Sequence, residues 1–358
     1  MKKIYSVFFF LFFFSFIGAP VIHSQDLILP KEATPYVDEN DFQTEDPMKV
    51  KDLFSVNNIL KLLTTALEKV FLSVGKIIGS LVVIIIISSL FRQMKFGACG
   101  NITEKTSAVI LNCIIILILL PEVKSACKML SSTVESVDIF TKSSLPVLST
   151  LFLSNGQPFT SVVFSSGIAL LCNIMTWVSN EILLPLIMVY ISLGVCQVFS
   201  DHYSICRVTS FFKKIILWFL GVVFSIFSFS FTMQSFLARS ADSISKKVVK
   251  TAVSTIPMIG NAISGGLEGV YSLASSVKNT FLSVGIFVII AVFIGPILYT
   301  ALLSFTTSAC EMICGFFEAE MVMQLLKTIK EAFDIHLVLM VSSVVICIIS
   351  YLLICINV

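Results

Sequence analysis

The residues best placed to do something in this chain are a proline and a set of glycines. Pro257 is followed by Gly260, Gly265, Gly266 and Gly269, then by Lys278 and Asn279 at the head of a long apolar run. Proline removes a backbone donor and interrupts a helix. Glycine allows tight turns and close approach of neighbouring backbones, and Gly265 and Gly269 have the small-xxx-small spacing of helix contacts. Irregular backbone at membrane depth is stable only against protein or water. The segment therefore reads in one of two ways. It is a re-entrant or discontinuous helix lining a pathway, with Pro257, Gly260, Gly265, Gly269, Lys278 and Asn279 as pathway or helix-break residues. Or it is a cytoplasmic loop followed by a short interfacial helix.

Other chemistry is sparse. There are 3 histidines; His202 and His336 are expected alone at the ends of apolar runs, and His23 within a removable leader. No phosphate-cradling G-x-x-x-x-G-K-[ST] loop, no H-E-x-x-H helix and no G-x-S-x-G elbow occurs, so three enzyme classes lose their signatures. Of 10 cysteines, Cys113, Cys172, Cys347 and Cys355 lie inside apolar runs, where cysteine behaves as a small hydrophobe. Cys310 and Cys314 share a helix face, but no partner set completes a zinc site. No catalytic residue, metal or cofactor is expected. Ser225, Ser228 and Ser230 are expected to bond to their own helix or a neighbour. No apolar run carries an acid at its centre, which argues against a proton-coupled carrier, leaving Lys76 and Lys278 as the candidate pore-facing charges. No basic block with interleaved aromatics suggests nucleic acid.

The elements that must position these residues are apolar helices. Mean hydropathy is +0.98 and only 13% of residues are charged, far from soluble composition. Lipid gives backbone polar groups no partner, so long apolar runs must be helical. The fold class is all-α: a polytopic membrane protein with about 7 (6–8) spans. Three regions are expected: a signal peptide over 1–24, an acidic extracytoplasmic segment over 25–58 and a multi-span membrane domain over 59–358. Met1-Lys2-Lys3 precedes a short Phe-rich core and Ser24 offers a cleavage point; an uncleaved anchor is the alternative. Between Gln25 and Val50 seven acids face two bases, as in a solvated tail.

Spans are expected at Val70–Phe91, Ser107–Leu120, Phe159–Trp177, Ile182–Phe199, Ile215–Phe231, Thr280–Leu303 and His336–Ile356. Pro121 ends the second. Glu122–Ser144 is read as a surface-lying or partly inserted helix, and Ser304–Asp334 as an acidic segment outside. The third and fourth spans form a tight hairpin around Val178–Glu181. With the mature N-terminus outside, the lysine and arginine bias fits everywhere except Ser200–Lys214, whose Arg207, Lys213 and Lys214 fall on the outer side. Phe71-Leu72-Ser73-Val74-Gly75 recurs as Phe281-Leu282-Ser283-Val284-Gly285, either an internal repeat or a chance match in so apolar a chain.

The stretch Ile256–Gly285, IPMIGNAISGGLEGVYSLASSVKNTFLSVG, resembles the most recognisable block of the stage III sporulation protein AE family of endospore-forming bacteria. Leu145-Pro146 with Leu151 and Gly156, and Leu184-Pro185-Leu186, agree with it in order. The resemblance implies a component of the channel between mother cell and forespore, needed for forespore development and placed in the mother-cell membrane around the forespore. Implied partners are the other stage III sporulation A-operon membrane proteins and their cytoplasmic ATPase, the forespore stage II sporulation protein Q, and an oxidase-assembly-type membrane insertase. The family brings no catalytic residues to carry over. Two other readings compete: a secondary transporter for a small solute, and a non-conducting assembly scaffold.

Overall fold

The computed structural model describes Pro30 and residues 56–93, 100–154, 158–199, 203–254, 260–317 and 319–356. The expected leader, nearly all of the acidic segment, and Pro257 lie outside the described residues. Every element among those described is a helix: α1 (Val56–Gln93), α2 (Gly100–Ser154), α3 (Pro158–Trp177), a π-helical turn (Val178–Leu183), α4 (Leu184–Phe199), α5 (Tyr203–Ser254), α6 (Gly260–Phe316) and α7 (Glu320–Ile356). The all-α polytopic expectation holds, with six stretches long and apolar enough to cross a membrane.

Six rather than seven follows from one correction. Val178–Glu181 is not a hairpin turn. α3, the π turn and α4 form a single helical rod, and Ser161–Phe199 is one apolar stretch of 39 residues. The sequence cause is Pro185, one residue into α4. It has no N–H for the carbonyl of Glu181, and its ring would collide with that carbonyl in an ordinary α turn. The ladder widens instead, and Leu184 N–H bonds to the Ser179 carbonyl five residues back. Helix interruptions of this kind bend an element without reversing it.

Two other expectations change for related reasons, and a third takes a definite form. α2 runs unbroken through Pro121 and Pro146, so Pro121 ends nothing. Glu122–Ser144 is not surface-lying: Val123, Leu130, Val134, Val137 and Phe140 are all buried in the main core, and their spacing is the inward stripe of a bundle helix. Ser304–Asp334, read as an acidic segment outside, takes the form of the tip of an antiparallel hairpin. α6 ends at Phe316, α7 begins at Glu320, and Ala319 N–H bonds to the Cys314 carbonyl across the turn.

The side-chain register fixes the directions. α6 and α7 are antiparallel, with Ser304 on Asp334 and Lys330 near Glu311. α3–α4 runs antiparallel to α7, through Tyr190 on Glu331 and Gly194 against Thr328. α5 runs parallel to α7, with Lys213 on Glu331. α2 is antiparallel to α3, through Lys142 on Asn173 and Ser149 on Ser165. α6 lies most centrally: 56% of its apolar stretch is buried, against 18% for α5 at the edge.

Because α3–α4 crosses once, its ends lie at opposite ends of the bundle. Arg207, Lys213 and Lys214 therefore stand at the same end as the start of α2, and the charge conflict expected at Ser200–Lys214 disappears. The bases Arg239, Lys246, Lys247 and Lys250, late in α5, move to the other end. The two ends are then similarly basic, and the bias that orients many membrane proteins does not choose between them.

Candidate functional site: ionisable groups inside the bundle

The expectation that no apolar run carries an acid at its centre is overturned by the continuity of α2 and α7. The apolar stretch Val109–Thr150 contains Glu122, Glu135 and Asp138, and Glu320–Ile349 contains Glu331 and Asp334. Sequence reading missed them because it ended α2 at Pro121 and began the last span at His336. The available signal was the three- and four-residue apolar spacing of Val123 to Val137, which belongs to the inward face of a bundle helix as much as to a surface helix.

Glu122, Glu331 and Asp334 meet a partner on another helix, and Asp138 meets Lys142 of its own. At the α4–α5–α7 contact the Tyr190 hydroxyl donates to Glu331 Oε2 at 2.6 Å, and Lys213 Nζ lies 3.1 Å from the same oxygen. Tyr190 is fully buried, so its hydroxyl has no solvent alternative and the carboxylate satisfies it. Between α2 and α6, the Tyr299 hydroxyl donates to Glu122. Between α2 and α3, Lys142 Nζ donates to Asp138 Oδ2 and to Asn173 Oδ1, each at 2.6 Å. Near the hairpin tip Ser304 donates to Asp334. Charges placed among apolar helices are costly and are stable when paired in this way.

His336 is not at a span end. It is buried mid-way along α7, and its Nε2 donates to the Ala126 carbonyl of α2 at 3.0 Å. Its Nδ1 has no partner. Asn112 is wholly buried in α2 with neither amide atom bonded, and Asp138 Oδ1 and Thr176 Oγ1 are also unbonded. Asp138 and Thr176 line one small cavity with Cys172 and Cys347. A site of that size and polarity suits a single water.

The arrangement joins helices. Among the described residues, no group of three or more His, Cys, Asp or Glu could hold a metal ion. Cys310 and Cys314 do share an inward face, both fully buried. Ser225 bonds to the Gly221 carbonyl of its own helix at 2.8 Å, as expected.

Of the residues expected to line a pathway or break a helix, Gly260 opens α6, and Gly265, Gly269, Lys278 and Asn279 follow within that same unbroken helix. The two glycines therefore occupy helical backbone rather than a tight turn. Pro257 lies outside the described residues, between the end of α5 and the start of α6.

With this architecture in view, the comparison with known families is decisive. The family whose description is stage III sporulation protein AE matches residues 41–358. The chain belongs to the stage III sporulation protein AE family. A curated relative, "Stage III sporulation protein AE" of Bacillus subtilis (strain 168), is 22% identical over 253 residues, covering 70% of this chain and 63% of the relative. The match thus covers less than two thirds of that relative's length. No solved structure matches the chain. The protein is a multi-pass membrane protein of a sporulation family, and the resemblance carried by Ile256–Gly285 identified that family correctly.

Proposed function

We propose that this protein is a membrane component of the channel joining mother cell and forespore, acting in the mother-cell membrane around the forespore and needed for forespore development. The observation that carries the reading is the family match across nearly the whole described bundle. Tyr190 on Glu331 and Tyr299 on Glu122 tie helices together, which suits a conduit or platform that performs no catalysis of its own. Energy would come from the cytoplasmic ATPase of the same operon. The other A-operon membrane proteins and the forespore stage II sporulation protein Q would be its partners, with an oxidase-assembly-type insertase aiding its insertion. Deletion of the gene tests the role. Engulfment should finish while the forespore later shrinks and loses late gene expression; normal spores would refute it.

A secondary transporter is the second reading, and one feature favours it: Glu122, Asp138, Glu331 and His336 place titratable groups within apolar stretches, as carriers require. Glu331→Gln separates the two. A carrier driven by protonation loses transport outright, whereas a conduit keeps sporulation wherever the protein still accumulates.

A further inference from the structure

The outer surface of α2 changes character half-way along. Leu117 and Leu120 before the change, and Ile139 and Val147 after it, are exposed and apolar. Between them the exposed side chains are Lys124, Lys128, Ser132 and Glu135. Steps of four, four and three residues put them on one face. Val123, Cys127, Leu130, Val134 and Val137 form the buried face behind. Among the described residues, none of Lys124, Lys128 and Glu135 meets an opposite charge.

This polar face lies at the depth of an apolar one. The Ala126 carbonyl meets His336 of α7, and Asp138 shares a cavity with Cys347. α2 therefore runs parallel to α7, with Lys128 level with Val338 and Glu135 level with Val345. Val338, Val341 and Val345 are all exposed. So is Trp218 of α5, which stands level with His336 because Lys213 meets Glu331. One side of the bundle thus presents valine and tryptophan where another presents lysine, serine and glutamate. Hydrocarbon suits only the first, because charged groups at this depth face protein or water. Snorkelling rescues a long side chain near a span end; it does not serve a glutamate level with Val345.

Within the chain, only the residues before Val56 could reach this face, since every other undescribed segment has six residues or fewer. Residues 25–50 carry seven acids against two bases, while the face offers two lysines and one glutamate. Laid there, that segment would leave most of its charge unpaired and would itself need water. We propose that the face of α2 from Lys124 to Glu135 lines an aqueous pathway through the membrane for small hydrophilic solutes. The stripe is about 16 Å long, about half the ~30 Å hydrocarbon core. Its charges and hydroxyl replace part of a passing solute's hydration shell, while the buried face behind holds the helix to the bundle. The inference deepens the channel reading and rests on it for the solute; the water-lined face stands without it.

Cysteine accessibility tests it, in membrane fragments open on both sides, holding the full-length chain with its exposed Cys113, Cys196 and Cys206 replaced by serine. A membrane-impermeant, charged thiosulfonate should modify Lys128→Cys, Ser132→Cys and Glu135→Cys well above that background. Trp218→Cys and Val338→Cys, at the same depth on the apolar side, should stay unmodified. Ser132→Cys exchanges a single atom, so the fold is kept. Its failure to react would overturn the proposal, because protein or lipid would then cover the face, the residues before Val56 included. Equal modification of Trp218→Cys and Val338→Cys would overturn it as well, because the whole level would then lie in water. The labelling needs no sporulating cell. Its failure leaves the gene-deletion test untouched, and normal spores from the deletion would refute the channel role without altering the labelling.

Discussion

Gly194 has no room for a methyl group. A Cβ there would stand 2.0 Å from Thr328 Cγ2, across the α4–α7 contact, and neither β-branched Thr328 nor the two backbones can yield easily. Gly194→Ala should cost about 1–3 kcal/mol, read as a lower melting temperature in detergent, and Thr328→Ser should recover part of it. Gly167→Ala provides the contrast. Its Cβ would approach the Gln234 amide at 2.3 Å, the far end of a flexible side chain that can swing away, so a much smaller loss is expected. Equal losses at the two sites would show that the α4–α7 contact is looser than described. Tyr190 and Glu331 make the second case. Tyr190→Phe removes one hydrogen bond, worth on the order of 1 kcal/mol. Glu331→Ala costs more, because it strands a fully buried Tyr190 hydroxyl. The double variant should then be less destabilised than the sum of the singles; strict additivity would mean the two groups do not interact.

The π turn belongs to the scale of the element. Such a turn accommodates one surplus residue while the helices on either side keep their faces. Deleting Asn180 from Val178–Leu183 should therefore leave α3 and α4 in register, and the protein should accumulate in membranes near its normal level. Deleting Ile187 from α4 has no such escape. It rotates Tyr190 and Gly194 about 100° away from Glu331 and Thr328, and accumulation should collapse, as a membrane immunoblot would show. Equal effects would deny the turn its accommodating role.

The same element shows how far the sequence could be read. The apolar runs that became α3, α4, α6 and α7 were visible by composition alone, because lipid demands helices there. Their continuity was not. Pro121 looks like a helix end, yet α2 runs through it and through Pro146, as α6 runs through Pro296, since packing against neighbours outweighs a local cost of about 3 kcal/mol each. Val178–Glu181 looks like a turn because Ser, Asn and Glu interrupt the apolar run. What decides is the backbone geometry that Pro185 imposes, and hydropathy cannot see it. The paired charges were illegible for the same reason. Glu122 and Glu331 become bundle residues only once their helices are known to be continuous, and their partners Tyr299, Tyr190 and Lys213 lie far away in sequence.

On the scale of the whole molecule, the architecture rests on α3–α4 crossing the bundle once. That crossing sets six apolar stretches instead of seven, brings Lys213 to Glu331, and puts the first bases of α5 at the same end as the start of α2. Side-specific labelling tests it most directly. Single cysteines at Phe159 and Phe199, both exposed near the ends of the rod, are probed with a membrane-impermeant maleimide in sealed right-side-out and inverted vesicles, with the other exposed cysteines replaced by serine. A single crossing predicts labelling from opposite faces of the membrane: one position reacts only in right-side-out vesicles, the other only in inverted ones. Labelling of both positions from the same face would restore the hairpin and contradict this bundle.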